Sequence, residues 1–261
     1  MISHCTLINY APTLSQRIPA VNDLDTKSRI KVCARRLFAE RGVEAVTVRE
    51  IVAASGAKNG GSLNYYFKSK EGLISELLAD VFRDSSDGWL EGLSELQRAG
   101  GPKSVRDIVT VLVRWPDEYN KMEDPSPTAN RFLSSLLSTR RKMVRDFLEV
   151  GNFSVFGQLL RYIRDLKSDL PQPVIEQRLI YFSWYVISAK AALESYIASG
   201  KKNPIWEGYD PLENLIDCGT GLLEAPCSAA EKSAPGDTAR NKSGGNKNQA
   251  RIRALHAAFP V

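Results

Sequence analysis

Residues 26–42 read TKSRIKVCARRLFAERG, and the apolar positions Ile30, Cys33, Ala34, Leu37 and Phe38 return at steps of three and four, with Lys31, Arg35 and Arg36 between them. That is the period of an α-helix with one buried face, and Gly42 is its expected stop. The same period recurs along most of the chain, and no alternating apolar–polar run of strand type competes with it. The expected class is therefore all-α.

Residues 47–57 read TVREIVAASGA, where Thr47 with Glu50 three positions on has the pattern of a capping box. A short helix is expected over 47–55, buried through Ile51 and Val52 and ended by Gly56. A turn at 56–58 then leads to a second short helix reaching Tyr66. Its first turn carries Lys58, Asn59, Gly60, Gly61 and Ser62, and Leu63 and Phe67 form its inward pair. Ser69 is placed to cap a further helix through Leu73, Ile74, Leu77, Leu78, Val81 and Phe82. Helical segments follow at 104–115, 129–149, 153–168, 174–199 and 211–224.

These patterns divide the chain into a loose arm (1–25), a helix-turn-helix unit (26–75), a helical body (76–225) and a tail (226–261). The tail is small, polar and basic, and such a composition buries too little apolar area to offset the entropy of ordering. Charge follows the same division. Residues 27–75 hold ten Lys/Arg against four Asp/Glu, whereas 76–225 hold eighteen against twenty-two. A basic unit on a mildly acidic body suits a polyanionic partner, although a solvated helix face would give the same count.

Other classes fit poorly. The two histidines, His4 and His256, lie near the chain ends, and the four cysteines form no CxxC pair. No metal site, cofactor or catalytic set is expected, and free thiols suit a reducing cytoplasm. No secretory signal or membrane-length apolar run is apparent. Two competing functions stay open at this level: an all-helical enzyme whose basic end takes a phosphorylated substrate, and a helical adaptor that docks proteins through its tail.

The stretch GAKNGGSLNYYFKSKEGL, 56–73, carries the most chemistry. A phosphate-cradling loop needs GxxxxGK[ST] after a strand, but here a helix precedes the glycines and Ser62 follows Gly61. A groove-reading helix needs small and polar side chains in its first turn, and these residues supply them. Glycines at 60 and 61 each weaken a helix by about 1 kcal/mol, which a purely structural helix has little reason to accept.

Taken with the preceding ARRLFAERG, the stretch TVREIVAASGAKNGGSLNYYFKSKEGL resembles the DNA-binding module of the TetR/AcrR transcriptional repressors. The likeness is close over roughly 27–75. Beyond that it extends only to a general plan of a helical domain that binds an effector and dimerises. The turn is one residue longer than the common pattern, as in a subgroup with a G-x-x-N turn. Asn64 and Tyr66 stand where tyrosine and histidine are usual.

The resemblance implies a dimeric repressor on a palindromic double-stranded DNA operator, released by a small molecule and neither an enzyme nor a membrane protein. It matches Lys58, Asn59, Gly61, Ser62 and Asn64 to the face that meets bases, and Thr47, Tyr65, Tyr66 and Lys70 to phosphate contacts. It implies a homodimer through 174–199 and 211–224, where Val174, Leu179, Phe182, Val186, Leu215, Ile216 and Leu222 serve either the interface or the internal core. Trp115, Phe132, Phe153, Phe156, Trp184 and Tyr185 are candidate walls of a pocket for an apolar or aromatic effector.

Overall fold

The computed structural model describes residues 24–57, 61–114, 127–150 and 154–228, and every regular element among them is a helix. Helix α1 (Thr26–Arg41) starts at Asp25, whose side chain accepts from the Ser28 N–H, and stops at Gly42. Gly42 has φ +81°, a conformation that side-chain-bearing residues rarely adopt. Helices α2 (Val48–Ala54) and α3 (Ser62–Phe67) follow, and α4 (Lys70–Arg98) is capped by the Ser69 hydroxyl, which accepts from Gly72 N–H. The body continues with α5 (Val105–Arg114), α6 (Ala129–Thr139), α7 (Arg141–Val150) and α8 (Ser154–Leu166). It ends with α9 (Gln172–Ser199), the one-turn α10 (Pro204–Glu207) and α11 (Pro211–Glu224).

The structure departs from the expected elements in four places. The helix expected up to about Phe82 runs on to Arg98, burying Ser85, Gly88, Trp89, Gly92 and Leu93. The segment expected over 129–149 is two helices, broken at Arg140 (φ −131°, ψ 37°). In α1 the buried set includes Val32, while Cys33 and Leu37 are only partly covered. The helix after the turn begins at Ser62, so Gly61 is its cap and not part of its first turn.

Two apolar cores result. The first joins α1–α3 and the start of α4 to α6 and α7, with Ile30, Phe38, Ile51, Leu63, Leu73 and Leu136 among its members. Phe38 stacks on Phe132 at 6.1 Å between ring centroids, and both are wholly buried. Each such side chain contributes about 1.5–3 kcal/mol on leaving water. The second core lies among α5, α8, α9, α11 and the far half of α4, where Trp89 stacks on Phe156 at 5.0 Å. The module boundary expected at 75/76 falls inside α4, which passes from one core to the other.

Candidate nucleic-acid interface

The N-terminus of α2 is built as its residues suggest. Thr47 Oγ1 accepts from the Glu50 N–H (3.3 Å), while the Thr47 N–H (2.8 Å) and hydroxyl (2.7 Å) donate to Glu50 Oε2. The Thr47 hydroxyl, then its N–H, then the Arg41 guanidinium at 2.8 Å hold the Glu50 carboxyl down to about 2. Above its ordinary range near 4.5 this carboxylate supports α2, and the support is lost as pH falls toward 2.

Helix α3 is six residues long and is fixed by two buried side chains, Leu63 (1% exposed) and Phe67 (4%). Its other side faces solvent: Gly61, Asn64, Tyr65 and Lys68 are all exposed, at i, i+3, i+4 and i+7. Tyr65 is 82% exposed and meets Tyr66 edge-on at 4.9 Å, so it covers none of the core. Tyr66 is 37% exposed and leans on Phe67 at 6.2 Å. Ser62 is half-buried at the helix start. Lys58 and Asn59 lie outside the described residues.

The join to α4 is unusually close. A Cβ built on Gly72 would stand 2.1 Å from the Phe67 carbonyl oxygen, so only glycine fits there without moving backbone. Lys68, at φ +66°, is the single non-glycine residue with positive φ among the described residues. Lys70 is half-buried, with its ammonium 5.8 Å from the centre of the Phe38 ring.

Much of the basic surplus is spent internally. Lys27 pairs with Glu76 (2.9 Å), Lys31 with Asp80 and Glu76, and Arg41 with Glu50. Arg29 donates to the Leu24 carbonyl (2.8 Å), the Thr26 hydroxyl (3.2 Å) and the Ser55 carbonyl (3.3 Å). Arg49, exposed in the first turn of α2, has no such partner among the described residues. Sequence reasoning passed over Arg49 because a charge count does not separate paired cations from available ones; its place beside the Thr47 cap was the signal.

Of the six residues expected to wall an effector pocket, the four that are described divide between the two cores, Phe132 and Trp184 with the first and Phe156 and Tyr185 with the second. Trp115 and Phe153 lie outside the described residues. Phe132 is wholly buried in the first core, and Phe156 stacks on Trp89 in the second. Trp184 is half-buried beneath the Arg141 guanidinium, 5.2 Å from its ring centre. Tyr185 is half-buried, and burial, then a hydrogen bond with Cys218, pushes its phenol up to about 12. An open cleft of about 610 Å³ lies elsewhere, between α4 and α7, lined by Ser75, Leu78, Arg140, Met143, Asp146 and Phe147 among others.

Of the apolar residues named for a helix pair, Leu179, Phe182, Leu215 and Ile216 are buried within the chain, and Val174, Val186 and Leu222 are half-covered. The exposed side of α9 carries Tyr181, Ser188, Ala192 and Ser195, and that of α11 carries Asn214, Cys218 and Gly221. Among the described residues, no helix is long and apolar enough to cross a membrane.

Comparison with known proteins points to the same elements. Residues 32–77 match the family model described as bacterial regulatory proteins, tetR family. The chain is 31% identical over 128 residues to the HTH-type transcriptional repressor KstR2 of Mycolicibacterium smegmatis, covering 45% of this chain and 60% of the relative. It is 39% identical over 127 residues to the repressor of the same name from Mycobacterium tuberculosis, covering 45% and 62% respectively. Against the probable HTH-type transcriptional regulator YttP of Bacillus subtilis it is 23% identical over 168 residues, 60% of this chain and 81% of that one. The chain thus spans less than two thirds of the length of the repressors it matches.

Proposed function

Because the chain belongs to the tetR family of bacterial regulatory proteins, we propose that it is a sequence-specific DNA-binding transcriptional repressor. The observation that carries this reading is the split of α3 into a buried pair, Leu63 and Phe67, and an exposed face holding Asn64 and Tyr65. A helix anchored this way presents its polar side to a major groove without losing its own core.

In the proposed complex α3 enters the groove, with Lys58, Asn59, Gly61, Ser62 and Asn64 toward base edges. Tyr65, Tyr66 and Lys70 grip phosphates and set register, and the α2 start at Thr47 adds N–H groups where an anion is favoured. Arg49 and Lys68 join these contacts as exposed cations beside the two helices. Six residues of reading helix give little affinity alone, so a two-fold dimer is proposed on a palindromic site, with the two α3 helices about 34–36 Å apart. The outer sides of α9 and α11 are proposed as its interface.

Release is proposed to follow binding of a small molecule that favours a spacing of the heads unsuited to DNA, since equal affinity for both states shifts nothing. Selecting fragments from a random duplex pool tests the proposal. A palindromic motif should be enriched, Asn64→Ala should change the preferred sequence, and Lys70→Ala should weaken all sequences alike while flattening the salt dependence. Failure to enrich any duplex would sink the reading.

A further inference from the structure

Helix α9 presents two buried charges, one turn apart, to the ends of α5 and α6. Lys190 (2% exposed) donates to the Val113 carbonyl at 3.3 Å, near the C-terminal end of α5. Glu194 (0% exposed) accepts from the backbone N–H groups of Asn130 and Arg131, both at 2.8 Å, and from Asn130 Nδ2 at 2.9 Å. Each charge has the sign that its helix end favours. A carboxylate taken wholly out of water is tolerated only when several donors meet it, and here all three belong to the first turn of α6.

The far end of α6 holds the DNA-binding module. Ser135 Oγ accepts from the Val43 N–H at 3.1 Å, and Arg140 donates to both carboxylate oxygens of Glu44 at 2.5 and 3.1 Å. Between these ends Phe132 stacks on Phe38. Helix α6 is thus pinned to α9 at its start and to the α1–α2 connection at its finish. On the side of α9 turned away from Glu194, Ser188, Ala192 and Ser195 are exposed where the second copy is proposed to sit.

We infer that Glu194 is a positioning residue for operator recognition: by fixing α6 against α9 it sets the distance between the two α3 helices, and with it the half-site spacing the dimer accepts. This rests on the dimeric DNA-binding reading above. Glu194 touches no base; it acts through α6. A glutamine at this position would turn an NH2 group toward α6 N–H groups and leave one of them unmet.

The test is selection of half-site spacing by the full-length chain from a pool in which one half-site is fixed and the other is placed at every distance. Wild type should favour one spacing. Glu194→Gln and, from the far end of α6, Arg140→Met should keep the half-site sequence. In both, the advantage of the preferred spacing over its neighbours should fall about tenfold, the loss of one charge-assisted hydrogen bond. A loss of stability alone would lower all spacings together. Sharp wild-type spacing in a folded Glu194→Gln protein overturns the inference. If that variant fails to fold, unchanged spacing in Arg140→Met overturns it. Enrichment of no duplex by wild type rejects the DNA-binding reading instead.

Discussion

Lys68 links backbone strain to a proposed contact. It ends α3 at φ +66°, where a side chain costs about 1–2 kcal/mol that glycine does not incur, yet it is an exposed cation directly after the helix that exposes Asn64 and Tyr65. Lys68→Gly should therefore raise the thermal midpoint while weakening DNA binding for every sequence, with the salt slope reduced by about one unit. Thermal denaturation and fluorescence titration at several salt concentrations check the two halves separately. A gain in both stability and affinity would remove Lys68 from the interface. Gly72 shows the other limit of sequence reasoning: its 2.1 Å approach to the Phe67 carbonyl depends on how α3 meets α4, which no local pattern reveals.

Among the elements, α2 was the most legible, since Thr47 and Glu50 specify its start by chemistry that needs no tertiary context. Glu50→Gln should lower the thermal midpoint at neutral pH. It should also remove the part of the acid-induced loss between about 4.5 and 2 that belongs to this carboxylate, because a depressed pKa stabilises above that window and not below it. Melting curves across pH for both proteins give the comparison. Expected and observed limits agree for α11 and differ by two residues at the start of α9. The break at Arg140 was not legible: no Gly or Pro marks it, and Val144 and Leu148 of α7 return to the core that α6 already serves, so the apolar rhythm passes through it. The extension of α4 was hidden for the opposite reason, as Ser85, Gly88 and Gly92 are buried positions without apolar bulk.

At the scale of the whole molecule, the two cores separate what the sequence showed from what it did not. The reading unit stood out because its motifs are local, whereas the partners of Trp89, Phe156, Trp184 and Tyr185 are set by packing among distant helices. The proposed interface can be probed at Ala192, exposed on α9 between small neighbours. Ala192→Glu should leave the monomer folded but place like charges across the two-fold, giving monomers in sedimentation and loss of tight binding to a palindrome. A dimeric, fully active variant would move the interface elsewhere. The Phe38–Phe132 stack also bears on engineering. Because α6 and α7 complete the hydrophobic interior beneath α1–α3, residues 26–75 are not a self-sufficient cassette. Grafted alone onto an unrelated scaffold they would expose one wall of an unfinished nucleus, so a working chimaera must carry 127–148 along with them.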